Sequence, residues 1–275
     1  MQGCIERRWA VAARQAAVVG GAMLLCPLVA LLASRDPGPA HARAQALVDL
    51  ERGLGLFVEP ELHAWLQGHP WLLMPAGAFY VWVHVPAVLG VLAWLWLERP
   101  AAFESARNWF LATQGLVVAG YLMVPTAPPR LLDGHGFRDT LTQLWGTEAA
   151  TLAHTVQSPY AAVPSGHVAF ALLVGWLLAR QGRAMILRGA GVAYPVVVTL
   201  TVLATANHLW LDALAGVLVA AAGAWLVSLA PVAARTWSRG RWAPSRLPGR
   251  IALRPSGSVH GWFTSDASRK IDLFE

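Results

Sequence analysis

Charge is scarce in this chain. Only 13% of its 275 residues are Asp, Glu, Lys or Arg, where a soluble domain carries about a quarter. Cysteine is almost absent: Cys4 and Cys26 are the two in the chain, and their spacing suggests neither a disulfide framework nor a zinc cluster. Lysine occurs once, at Lys270, so arginine supplies the rest of the 21 basic residues. The net charge of +6 does not form a basic patch for nucleic acid, because the arginines follow the ends of apolar runs. What is plentiful is apolar surface. With 56% hydrophobic residues and a mean hydropathy of +0.48, lipid is the expected solvent for much of the molecule.

The apolar runs predict an all-α, polytopic protein with six transmembrane helices, at about 10–33, 71–97, 109–125, 163–179, 189–207 and 209–230. The first run follows Arg7-Arg8 and is longer than the apolar region of a signal peptide, so it reads as a retained helix; cleavage is the alternative. Between the first two helices, residues 41–68 are too polar to span. Leu47, Leu50, Leu54 and Phe57 recur near helical spacing, with Asp49, Glu51 and Arg52 between them, as in a helix lying in the interface. A soluble cap over a membrane cavity is the other reading of that segment. Residues 1–234 thus form the expected membrane domain, and 235–275, rich in Arg, Pro, Ser and Gly, an expected unstructured cytoplasmic tail.

Arginine placement sets the expected orientation in a cell membrane. The short 180–188 segment carries Arg180, Arg183 and Arg188 with no acid, whereas Arg35, Arg43, Arg52, Arg130 and Arg138 are the outer basic residues. The positive-inside rule then puts both termini in the cytoplasm. Three polar stretches fall together on the outer side as a result: "VPTAPPR" ending in Arg130, "PSGH" at 164–167, and "NHLWLD" at 207–212.

Each stretch has reactive groups. His208 and Asp212 are four apart and share a helical face; a carboxylate there accepts an imidazole proton and leaves the other ring nitrogen as base or nucleophile. An ordinary polar pair between helices is the alternative. Arg130 presents a planar donor fork that matches a phosphate, or else snorkels at a helix end. Ser165 and Gly166 offer a hydroxyl and free backbone N–H groups at a helix start. His167 is harder to explain as structure, since Ala or Leu would begin a membrane helix at lower cost.

"VPSGHVAFAL" and "NHLWLDALAG" resemble signature regions of the type 2 phosphatidic acid phosphatase (PAP2) superfamily. "VPTAPPR" and Asn207 are most similar to its inositol-phosphotransferase branch, related to the inositol phosphorylceramide synthases. The resemblance covers about 108–220 and implies a six-helix membrane domain with an extracytoplasmic active site. By motif position His208 would be the nucleophile, Asp212 its orienting partner and His167 the general acid. Arg130, Ser165 and Gly166 would hold phosphoryl oxygens, with Asn207 a supplementary donor.

The chain departs from the superfamily at two points. The lysine-led first signature is missing, and Val202 stands where an arginine often precedes the second catalytic histidine. Arg138 is a possible replacement, and Arg107 a poor one because it falls on the cytoplasmic side. Asp133, Asp139, His135 and His154 read as loop residues, and 126–162 as a loop able to gate the site.

The expectation is a membrane enzyme of lipid metabolism, a lipid-phosphate phosphatase or phosphotransferase using a phosphohistidine and neither metal nor cofactor. Its substrate would be a phospholipid or polyprenyl phosphate, and its acceptor water, inositol or another alcohol. Nucleic acid is no expected partner. A noncatalytic lipid-binding or transport protein is the alternative from another class.

Overall fold

The computed structural model describes residues 2–32, 36–156 and 158–229. The expected tail at 235–275 lies outside them, and no side chain is described at His154. The described residues are mostly helical and contain no strand, apart from one isolated parallel bridge between Thr126 and Ala161. Helices α1 (Gln2–Met23) and α2 (Leu25–Leu32) are followed by α3 (Pro37–Gly53) and α4 (Glu59–Gln67). Next come α5 (Pro70–Ala78), a π-helical segment (Phe79–Val83), α6 (His84–Glu98) and α7 (Pro100–Met123). A short 3-10 turn (Pro129–Leu131) and α8 (Thr140–Val156) lead to α9 (Gly166–Gln181), α10 (Met185–Ala204) and α11 (Trp210–Leu229).

Four stretches are long and apolar enough to cross a membrane: Trp9–Val29, Pro70–Glu98, Met185–Ala204 and Trp210–Leu229. This is a membrane protein. The expected six spans include two helices that do not meet that standard, for identifiable reasons. Helix α9 has 16 residues, a rise of about 24 Å against a hydrocarbon core of about 30 Å. Helix α7 is long enough, but Glu104, Arg107, Asn108 and Gln114 dilute its hydropathy. Both pack inside the bundle, α9 against α10 and α11, and α7 against α11.

The structure revises the expected boundaries. The first apolar run is two helices that break at Leu24. The third begins at Pro100, nine residues before the expected start, because Pro at a first helical position caps readily. The expected loop at 126–162 contains α8, interrupted at Gly146 by a backbone of φ 79° and ψ 169°.

The segment at 41–68 is helical, in α3 and α4. Its buried face is Ala40, Ala44, Val48 and Glu51, whereas Leu50 and Leu54 are exposed. Small side chains on the buried face let α3 lie close to the loop after α7. The Ala127 N–H donates to the Ala40 carbonyl, and Arg43 donates to the Pro125 carbonyl. Helix α4 packs on α10, where His63 donates through Nδ1 to the Ala204 carbonyl and accepts the Arg138 N–H at Nε2. Burial lowers the His63 pKa, with Arg138 acting in the same direction, which suits the neutral ring that this pair of bonds requires. The segment rests on the bundle end, and Glu51 belongs to its buried face instead of a solvated one.

Close helix approach is bought by glycine. A Cβ at Gly191 of α10 would lie 2.7 Å from both the Gly175 carbonyl oxygen and the Ala179 nitrogen of α9, the small-residue contact by which membrane helices pack. Gly191→Leu should therefore lower the thermal midpoint in detergent, because overpacking costs about 1–3 kcal/mol. An unchanged midpoint would contradict the close contact.

Candidate active site

Three chain reversals converge at the capped end of the bundle. The stretch after α7 is fastened to the stretch before α9: the Thr126 N–H donates to the Tyr160 carbonyl, and the Ala162 N–H to the Thr126 carbonyl. The third reversal joins α10 to α11. It turns through Ala206, a non-glycine residue at φ 56°, whose carbonyl accepts the Arg130 N–H at 2.9 Å. Val202, the position lacking the expected arginine, gives its carbonyl to the N–H groups of Asn207 and His208. Sequence positions 130, 165–167 and 207–212 thus meet through backbone bonds.

Ser165 sits before the first residue of α9 with its hydroxyl accepting the Val168 N–H, and it is fully buried. That is an N-cap. Its own N–H donates to the Asp212 carbonyl at 3.0 Å, so the starts of α9 and α11 are tied. A Cβ at Gly216 would strike the Ser165 carbonyl oxygen; glycine makes this approach possible. The Gly166 N–H donates to the Tyr121 hydroxyl oxygen, and is therefore engaged by the protein itself.

The two histidine rings expected to act face one cavity. The centroids of His167 and His208 are 6.1 Å apart at an interplanar angle of 57°. His167 donates to the Tyr80 backbone carbonyl, which fixes one ring nitrogen and leaves the other toward its surroundings. His208 Nδ1 lies 3.5 Å from Asp212 Oδ2, beyond a well-formed hydrogen bond. The same carboxylate oxygen accepts the Leu209 N–H at 2.8 Å, reaching back one turn as in a capping box. Asp212 therefore anchors the helix start and adjoins the imidazole at once. Bonds of this kind are commonly long in an unliganded site.

Arg130 donates through NH1 to the Asn207 side-chain oxygen, and the Asn207 amide nitrogen donates to the Thr205 hydroxyl and carbonyl. Asn207 is thus committed to holding Arg130, a different use from the phosphate donor expected of it. Burial lowers the Arg130 pKa, opposed by Tyr80 and Asp139, although arginine keeps its charge in proteins.

Of the remaining candidates, Asp139 lies near enough to act on Arg130, and the others stand at the surface. Arg138 and Asp133 are exposed. Asp139 caps α8, accepting from the Leu141 N–H and the Thr142 hydroxyl. His135 bonds Arg52 and Gln45 at the surface of the cap.

Sequence reasoning missed two neighbours of His167. Tyr80 stacks on its ring at 4.4 Å, and His84 lies 4.8 Å away. His84 is buried, takes the Tyr194 hydroxyl at Nδ1, and has no partner at Nε2 among the described residues. An intramembrane histidine in an apolar run was the available signal. Also missed were Glu51 and Glu59, both wholly buried against the start of α11.

A cavity of about 360 Å³ joins these groups. Arg130, His167, Asn207 and His208 line it, together with Met23, Leu24, Pro27, Val85 and Val88. Its lining thus combines cationic and hydrogen-bonding groups with apolar ones. A family model of the PAP2 superfamily matches residues 45–226. The chain belongs to the PAP2 superfamily. Membership supports activity of the phosphatase or phosphotransferase type. No curated protein and no solved structure matches the chain.

The PAP2 match includes the cap from residue 45 onward as well as the three motif-bearing reversals. If Asn207 orients Arg130, Asn207→Ala should lower turnover of a lipid phosphate by one to two orders of magnitude. A hydrogen bond to a charged group is worth about 1.5–3 kcal/mol. Steady-state release of phosphate from the variant checks this, and wild-type rates would refute it.

Proposed function

We propose that the chain is a lipid-phosphate phosphatase or phosphotransferase working through a phosphohistidine on His208. The observation that carries the reading is the pairing of two histidine rings 6.1 Å apart with a held guanidinium, on the wall of a cavity that apolar side chains also line. Such a mixed lining suits an amphiphile that carries both a phosphate and an apolar chain.

In the first step the free His208 nitrogen attacks phosphorus, and the bond from phosphorus to the lipid alcohol oxygen breaks. His167 gives that oxygen its proton, and Asp212 steadies the positive charge on His208. Arg130 offsets charge on the equatorial oxygens, helped by donors of the Ser165–His167 turn as they reorient from their present partners. In the second step water or an alcohol attacks the phosphohistidine and yields its proton to His167, so both rings return to their starting state.

The placement of arginines supports six crossings with both termini cytoplasmic and the capped end outside. In that arrangement α7 and α9 cross as inner helices, and the exposed Leu50, Leu54 and Leu56 of the cap lie at headgroup level. A second reading narrows the acceptor to inositol or another alcohol. It is favoured by the Arg130–Asn207 pair, which links the two sequence stretches most similar to the inositol-phosphotransferase branch.

The test is incubation of purified protein with labelled polyprenyl, diacylglyceryl and phosphoinositide phosphates, with and without inositol or glycerol. Free phosphate identifies hydrolysis, and a labelled alcohol product identifies transfer. His208→Ala should abolish both and form no acid-labile phosphoenzyme while still folding. Full activity in that variant would overturn the mechanism, and lipid binding without turnover in the wild type would favour a noncatalytic protein.

A further inference from the structure

We propose that Glu51 and Glu59 share one proton, and that the resulting acid pair holds the first turn of α11 where His208 needs it. The positional half of this claim rests on the function proposed above; the shared proton does not.

The geometry starts from two consecutive backbone groups. The Trp210 N–H donates to Glu59 Oε1 at 2.8 Å, and the Leu211 N–H donates to Glu51 Oε1 at 2.7 Å. One carboxyl comes from α3 and the other from α4, some 150 residues away in sequence, yet both end on the same helix start. Helix N-termini leave these N–H groups without intrahelical partners, and negative charge is favoured there. One acid would satisfy that preference. Two ionised carboxylates side by side, each wholly shielded from solvent, would repel strongly in a low-dielectric setting.

The second oxygens resolve the difficulty. Glu51 Oε2 and Glu59 Oε2 are both buried with no donor among the described residues, while the two side chains lie within hydrogen-bonding reach of each other. A single proton between these oxygens satisfies both and removes one charge, as in carboxyl dyads. Burial and then the Glu59 hydrogen bond raise the Glu51 pKa from 4.5 to about 8, although the Leu211 N–H pulls it down. The ionisable groups acting on Glu51 are acidic ones, Glu59 from α4 and Asp212 from α11, and their charges also favour retention of the proton.

The pair has a positional consequence. Trp210 and Leu211 directly follow His208 and Leu209, and Leu209 is held by Asp212. Three carboxyl groups thereby hold three successive N–H groups after His208. Glu51 and Glu59 touch no reacting atom and act as positioning residues through the backbone.

Titration follows with a fixed sign. The folded protein binds the extra proton between pH 4.5 and about 8, where the unfolded chain has lost it. This contribution to stability is therefore fully present below the lower value and lost as pH rises through the upper one.

The experiment uses the full chain in detergent micelles. Infrared difference spectra at pH 7, wild type minus Glu51→Gln and wild type minus Glu59→Gln, should each show loss of the same carboxylic-acid carbonyl band. A glutamine amide can replace the shared proton with an N–H donor, so each Gln variant should keep turnover within about threefold at pH 7. Each should also stay active above pH 8, where the wild type declines. Glu51→Ala, which removes both bonds, should lose at least tenfold. Absence of an acid band in both difference spectra would overturn the shared proton. Gln variants as impaired as the Ala variant would overturn the positioning role. Should no form of the protein turn over any lipid phosphate, the functional reading fails while the infrared result still decides the proton.

Discussion

The hydrogen bond from the Ser165 N–H to the Asp212 carbonyl organises this end of the molecule. It joins the first residues of two helices that run side by side, and it forms only because Gly216 leaves room for the Ser165 backbone. His167 is two residues from one end of this bond and His208 four residues from the other. Their separation is therefore set mainly by backbone, with little dependence on flexible side chains. Rigid elements hold reactive groups more accurately than loops do, and here two helix starts act as one.

A chain so poor in charge must still place ionisable side chains away from water. Each buried polar group costs free energy unless it is bonded. The structure concentrates them at the bundle end and shares their partners. Asn207 serves both Arg130 and Thr205, and His63 serves both α10 and the loop before α8. The cap is consequently more than a cover. Its buried face of alanine and valine admits close backbone contact, and its few polar side chains meet specific groups beneath.

Much of the site was legible in the sequence because its residues lie in short local motifs. "PSGH" and "NHLWLD" place Ser165, His167, His208 and Asp212 at helix starts, where both capping and spacing rules apply. The membrane character was equally plain from the apolar runs. On α3 the periodic leucines mark an exposed stripe, whereas Ala40 and Ala44 mark the face packed on the bundle. Periodicity identifies a stripe without saying which solvent lies against it. Glu51 and Glu59 were illegible for another reason: their partners are backbone groups about 150 positions away, which leave no trace in local pattern. Tyr80 and His84 were hidden within an apolar run that reads as lipid-facing throughout.

The π-helical segment Phe79–Val83 bears on how Tyr80 and His84 came to share one wall. A π turn accommodates one residue more than the α-helical turn on either side. Each residue advances an α-helix by about 100°, so the extra one rotates everything after it relative to everything before. Helix α5 can therefore present its own packing face to α8 while α6 presents a different face to α7 and α9. The wide turn works as an offset in the gearing of one long rod. It allows a single apolar span to turn offset faces toward two sets of neighbours.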